Sequence, residues 1–127
     1  MKDVKRVGII GTGVAGLVTA KTLIAQGVEC VVFDKSDRLG GVWAYGYSNF
    51  GVQVPKELYE FPDWSMPEAA ADFCSGEVFQ QYLEDYVDHF QFRSSIRLNT
   101  DVVTLEQTST EPPNWRVTIK TDAGTEQ

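Results

Sequence analysis

The sequence predicts an α/β fold of three-layer ββα type, with a parallel sheet, helices, and the start of an antiparallel β-meander. Three observations predict it. The glycine turn Gly11-Thr12-Gly13-Val14-Ala15-Gly16 follows a short apolar run and opens a helical pattern. Strand, helix and strand patterns follow one another within about thirty residues, the length of a βαβ unit. Two alternating segments flank the turn residues Pro112-Pro113-Asn114, as in a hairpin. Together they describe a Rossmann-like core over residues 1–100 and the opening of a meander over 101–127, a fold that these 127 residues leave incomplete.

Val4 to Ile10 is short and β-branched and reads as a buried parallel strand. Val14 to Gln26 reads as a helix with Val14, Leu17, Val18 and Ile24 on one side, and Gly27 stands where a left-handed cap is expected. Glu29 to Phe33 is the second strand. Ser36 to Trp64 is rich in Gly, Asn and aromatics without a steady period, and reads as ordered loop, a kind of segment that is commonly functional. Pro67 to Phe73 is expected as a short helix with proline at its first position. Glu77 to Phe90 carries Val78, Phe79, Tyr82, Leu83, Tyr86, Val87 and Phe90 at helical spacing, with Ser75 as its cap. Ile96 to Leu98 reads as a third parallel strand. Val102 to Gln107 and Trp115 to Thr121 form the hairpin. A turn at Asp122-Ala123-Gly124 leads into the first residues of another strand.

Hydrophobic residues make up 43% and charged residues 23%, which suits a globular domain and not a disordered tail. Eleven basic against eighteen acidic residues give a net charge of −7, and no Lys/Arg cluster faces a phosphate backbone, so no nucleic-acid partner is expected. Cys30 and Cys74 are far apart with no CxxC, which favours free thiols and a reducing cytoplasmic setting. No apolar run reaches the length of a membrane span, and no signal-peptide pattern opens the chain.

Gly11 allows the tight turn, Gly13 lets a pyrophosphate approach the backbone, and Gly16 lets helix and strand pack closely. The helix N-terminus at Val14 and Ala15 offers N–H groups and partial positive charge to phosphates. The strand before and the helix after lift this turn above a bare GxGxxG match, which a structural glycine turn also satisfies. Asp34 lies eighteen residues beyond Gly16, where a carboxylate accepts hydrogen bonds from ribose hydroxyls and repels a 2′-phosphate. The bland alternative is an ordinary strand-end aspartate. NAD and FAD share the adenosine half, so this region alone does not choose between them.

Arg38-Leu39-Gly40-Gly41-Val42-Trp43 brings a second glycine pair six residues after Asp34. Glycines let backbone lie directly against a ligand, so a ligand reaching beyond the pyrophosphate is expected, as a flavin does. A surface turn with Trp43 in the core is the plainer reading.

The chain resembles the flavin-containing monooxygenase family. The resemblance is carried by Gly11 to Gly16, by Asp34-Lys35, by Arg38 to Trp43, and by "QVPKELYEFPDW", "YLEDYVDHF", "IRLNTDVV" and "NWRV" in order. It implies that the Rossmann-like unit binds FAD through Gly11, Thr12, Gly13, Val14, Ala15, Gly16, Asp34, Lys35, Gly41, Val42 and Trp43. It implies that Gln53 and Val54 reach the flavin, with Gln53 the candidate catalytic residue, and that the backbone at Val102 meets adenine. Lys56, Tyr59 and Asp63 match the same motif, where packing and loop bracing account for them. "QVPKELYEF" also resembles Baeyer–Villiger monooxygenases, which place an aspartate where this chain has Gln53. The neutral amide favours the heteroatom-oxygenating branch.

By this resemblance the whole enzyme reduces FAD with NADPH and loads it with O₂. The resulting peroxyflavin oxygenates a small-molecule soft nucleophile, an amine or a sulfide. A second glycine turn for NADPH is expected outside these residues, and after the meander the family returns a parallel strand to the central sheet beside the first one. Two other readings stay open: the FAD module of another flavoprotein oxidoreductase, and a non-catalytic nucleotide-binding fragment. A disulfide reductase would need a CxxxxC near the glycine pair, and only Cys74 lies between Gly41 and Ser75. His89 reads as a solvated helix histidine near Asp85. No metal site is expected, because no Cys/His/Asp cluster has ligand spacing.

Overall fold

A computed structural model of the chain describes residues 4–127. Its elements are β1 (Arg6–Ile10), α1 (Val14–Ala25), β2 (Glu29–Phe33), α2 (Gly76–His89), β3 (Ile96–Arg97), β4 (Asp101–Thr110), β5 (Pro113–Thr121) and β6 (Gly124–Glu126). β2 lies between β1 and β3 in a parallel sheet, with Arg6 opposite Glu29, Ile10 opposite Phe33 and Val32 opposite Ile96. β4, β5 and β6 form a separate antiparallel meander. The α/β class, the parallel sheet and the meander are therefore as the sequence predicts.

β2 buries Cys30 and Val32, and both cysteines are free and buried. α1 buries Leu17 and Ala20, and Gly27 just beyond it takes a left-handed φ of 79°. α2 starts one residue earlier than the periodicity suggests, with the Ser75 hydroxyl accepting from Val78 N–H at 3.3 Å. Its buried face carries Phe79, Tyr82, Leu83, Tyr86 and Val87, which meet Leu17, Leu39, Val52, Phe61 and Phe92. Each such buried side chain contributes about 1.5–3 kcal/mol of transfer free energy. Tyr82 is tied by both capacities of its hydroxyl, accepting from Phe61 N–H at 2.7 Å and donating to the Trp64 carbonyl at 2.5 Å. Burial pushes its phenol up to about 12. His89 is exposed and lies flat on Trp64, with ring centroids 3.7 Å apart.

Three expectations need correction. The first strand begins at Arg6 and none of its residues is buried, with Ile10 58% exposed. Residues 67–73 form turns and no helix. The carbonyls that a helix would use internally point instead at Lys56, whose Nζ donates to Pro67, Glu68 and Ala70. The hairpin turn lies at Glu111–Pro112, not at Pro-Pro-Asn, because Pro113 pairs with Thr110 and Asn114 with Ser109. A proline is tolerated at the first residue of a strand, so both strands run further than their alternation indicates.

Candidate functional site

The glycine turn leaves β1 at Gly11, whose φ of 100° suits glycine. Gly11 N–H donates to the Phe33 carbonyl at 2.7 Å, so the turn stays registered on β2. A Cβ at Gly16 would collide with the Gly11 carbonyl, which is the close packing of helix on turn that the spacing predicts. A Cβ at Gly13 would meet nothing within 4 Å. The first intrahelical bond of α1 runs from Leu17 N–H to the Gly13 carbonyl at 3.0 Å, so the N–H groups of Val14, Ala15 and Gly16 lie upstream of the helical ladder. No acidic side chain occupies this first turn. Open backbone, unladdered N–H groups and the positive end of the helix dipole together suit a pyrophosphate.

Thr12 is fully buried, and both of its donors go to Asp34: its N–H at 2.7 Å and its hydroxyl at 2.6 Å, on the same Oδ2. Oδ1 of Asp34 accepts only Ser36 N–H, at 2.9 Å, among the described residues. Burial pushes this carboxyl upward, but the donors on Thr12 and Ser36 outweigh it and hold Asp34 below the usual carboxylate range. The aspartate thus braces the glycine turn through one oxygen and keeps capacity on the other.

Gly40 and Gly41 close over this turn. Gly40 N–H donates to the Thr12 carbonyl at 2.9 Å, and a Cβ on Gly41 would lie 3.2 Å from the Gly13 Cα. Both glycines have positive φ, 114° and 61°. The second pair comes so soon after Asp34 because the chain folds back on the first turn, where a side chain on Gly41 would press on Gly13 and one on Gly40 would strike Gln80. Gln80 of α2 fills the space beside Gly40 and donates from Nε2 to the Leu39 carbonyl at 2.8 Å. Sequence reading missed Gln80. Its signal is a polar residue inside the stripe shared with Leu83 and Val87.

After Gly41, Val42 stands 72% exposed, while the Trp43 ring packs on Phe50, Tyr59 and Phe79. Lys35 is exposed and lines a shallow depression with Asn99 and Asp101. Backbone bonds from Asn99 N–H to Ser36 and from Thr100 N–H to Asp34, both 2.8 Å, bring Val102 to the same end of the sheet as Asp34. Gln53 and Val54 are exposed between the buried Val52 and Lys56. Asp63 pairs with Lys21 of α1 and accepts from the Tyr86 hydroxyl, and Lys21 lowers its pKa. Among the described residues no helix is long and apolar enough to cross a membrane.

Residues 4–127 match the family described as Flavin-binding monooxygenase-like. Flavin-containing monooxygenase FMO GS-OX-like 7 of Arabidopsis thaliana is 31% identical over 87% of this chain and 30% of its own length. Flavin-containing monooxygenase 1 of Mus musculus is 31% identical over 90% of this chain and 23% of its own. The chain therefore spans under a third of these relatives. The structure of S-allyl-L-cysteine S-oxygenase from Allium sativum superposes with a TM-score of 0.84 at 25% identity, over 95% of this chain and 34% of that one. A glycine turn braced by Asp34, a second pair folded on it and a match along nearly the whole chain lead to one assignment: this chain belongs to the flavin-binding monooxygenase-like family.

Proposed function

We propose that this chain is the FAD-binding portion of an NADPH-dependent flavin monooxygenase. The whole enzyme inserts one oxygen atom from O₂ into a soft nucleophile, an amine or a sulfide. The observation that carries the reading is the closure of Gly40-Gly41 over the glycine turn, which sets two stretches of side-chain-free main chain against each other at Gly13 and Gly41. In this reading Gly11, Gly13, Val14, Ala15 and Gly16 present backbone to the pyrophosphate. Thr12 acts indirectly, because its donors are committed to Asp34. Asp34 accepts from a ribose hydroxyl through Oδ1, and Lys35 and Val102 border the adenine. Gly41, Val42 and Trp43 line the path toward the flavin, where Gln53 and Val54 meet it.

Bound FAD supplies the redox chemistry that activates O₂. The residues here bind and orient it, and the neutral Gln53 places a hydrogen-bonding amide beside it without a charge. NADPH binds beyond these residues, since the chain contains one GxGxxG turn. The S-oxygenation named for the Allium sativum protein favours a sulfur acceptor. The free, buried Cys30 and Cys74 accord with a cytoplasmic setting. Titration of FAD and of NADP⁺ into the purified chain, followed by intrinsic fluorescence and flavin quenching, tests the assignment. FAD should saturate the site and NADP⁺ should not displace it. Displacement of FAD by equimolar NADP⁺ would show that the glycine turn is a nicotinamide site.

A further inference from the structure

Lys56 is 8% exposed, and its three ammonium donors have three carbonyl acceptors: Pro67 at 3.2 Å, Glu68 at 3.0 Å and Ala70 at 2.5 Å. Among the described residues no carboxylate lies within ion-pair distance of its Nζ. A buried cation held only by carbonyl dipoles is costly unless each donor is satisfied, and here all three are. The acceptors lie on a segment whose helix-forming carbonyls have been turned inward to reach it. The main chain repeats the tie, since Val52 N–H donates to Cys74 at 3.0 Å and Lys56 N–H to Asp72 at 2.7 Å. Three residues, Gln53, Val54 and Pro55, span these two anchors, and all three are exposed.

We propose that Lys56 is the positioning residue of the Gln53–Val54 crest: its ammonium locks residues 67–70 beneath the crest and so sets where Gln53 meets the cofactor. The compact ammonium with three radiating donors suits three converging carbonyls, which a planar guanidinium does not. The inference rests on the proposed reading that Gln53 lies at the flavin, and it adds what holds Gln53 there. Lys56 itself touches no reacting atom.

The test compares Lys56→Met, Lys56→Gln, Lys56→Arg and Gln53→Ala in the full chain. The readouts are hydrogen exchange, FAD affinity by fluorescence quenching and the visible circular dichroism of bound FAD. Lys56→Met should raise exchange in 51–56 and 66–74 and leave β1, α1 and β2 protected. It should weaken FAD roughly tenfold and shift the flavin dichroism in the same sense as Gln53→Ala. Lys56→Arg, which keeps charge without the tripod geometry, should fall between wild type and Lys56→Met. Wild-type affinity and dichroism in Lys56→Met, with both altered in Gln53→Ala, would overturn the role of Lys56 and leave Gln53 at the flavin. A wild-type dichroism in Gln53→Ala would overturn the flavin placement, and the proposal with it. If Lys56→Met fails to fold, Lys56→Gln carries the comparison. Global unfolding of both would make Lys56 a stability residue and overturn the positioning role.

Discussion

At the residue scale, the proposed FAD reading gives Asp34 two separable tasks. Oδ2 satisfies the buried N–H and hydroxyl of Thr12, and Oδ1, which accepts Ser36 N–H, is the oxygen the proposal assigns to a ribose hydroxyl. Asp34→Ala removes both, so part of its effect is destabilisation by two orphaned Thr12 donors, each costing about 1–3 kcal/mol. Asp34→Asn keeps an acceptor for Thr12 and loses the charge. It should weaken FAD by about 1.5–3 kcal/mol, roughly ten- to a hundredfold, with the smaller loss of fold stability. Equal FAD affinities in wild type and both variants would remove Asp34 from the site. The pH dependence has a definite sign. The native carboxyl is held below its ordinary value of 3.8, so its contribution is complete above that value and is lost as pH falls through the lower native one. Urea midpoints of wild type and Asp34→Asn should therefore converge in strong acid and separate toward neutrality. The position of Asp34 was legible from its spacing to Gly16. Its partnership with Thr12 was not, because a threonine inside a GxGxxG turn carries no mark of whether its hydroxyl faces a ligand or the next strand.

At the scale of elements, the glycine turn and α1 depend on one contact. Gly16 sits where any Cβ strikes the Gly11 carbonyl, a backbone atom that cannot rotate away. Gly16→Ala should push α1 off the turn, lower stability by about 1–3 kcal/mol as other overpacked sites do, and abolish FAD binding out of proportion. Thermal melts with FAD titration check this, and an unchanged melt with intact binding would mean that helix and turn are not in contact. Gly13→Ala is the control, since the Cβ there meets open space in the chain itself and should affect ligand before fold. The elements bearing these glycines were readable because periodicity and glycine spacing are local. Residues 67–73 misled because their local signal, a proline followed by helix formers, is overruled by one ammonium eleven residues upstream of Pro67. Long-range acceptance by backbone carbonyls leaves no periodic trace. The hairpin strands outran their alternation for a related reason: they are exposed along most of their length, so burial imposes no pattern there.

At the scale of the whole molecule, the parallel sheet and the meander face each other across a cavity of about 230 Å³ lined by Gly8, Ile10, Phe33, Leu105, Trp115 and Val117. Its walls are apolar yet exposed, Ile10 by 58%, Trp115 by 54% and Leu105 by 51%. β1 beside it is the outer strand of its sheet among the described residues, so an apolar wall and a strand edge coincide. Such an edge favours pairing with another chain, and hydrophobic area favours it further. Against this stands the net charge of −7, a repulsion between copies that salt screens over about 10 Å at 0.1 M. The two forces respond oppositely to ionic strength. The isolated chain should therefore sediment as a monomer at low salt and form larger species as salt and protein concentration rise. Ile10→Thr and Trp115→Ser should each reduce that association without loosening α2, whose buried Phe79, Leu83 and Val87 belong to a core that includes neither residue. Sedimentation velocity across a salt series gives the answer. A monomer at every salt concentration, or association unaffected by both substitutions, would show that the open cavity does not govern how these chains meet.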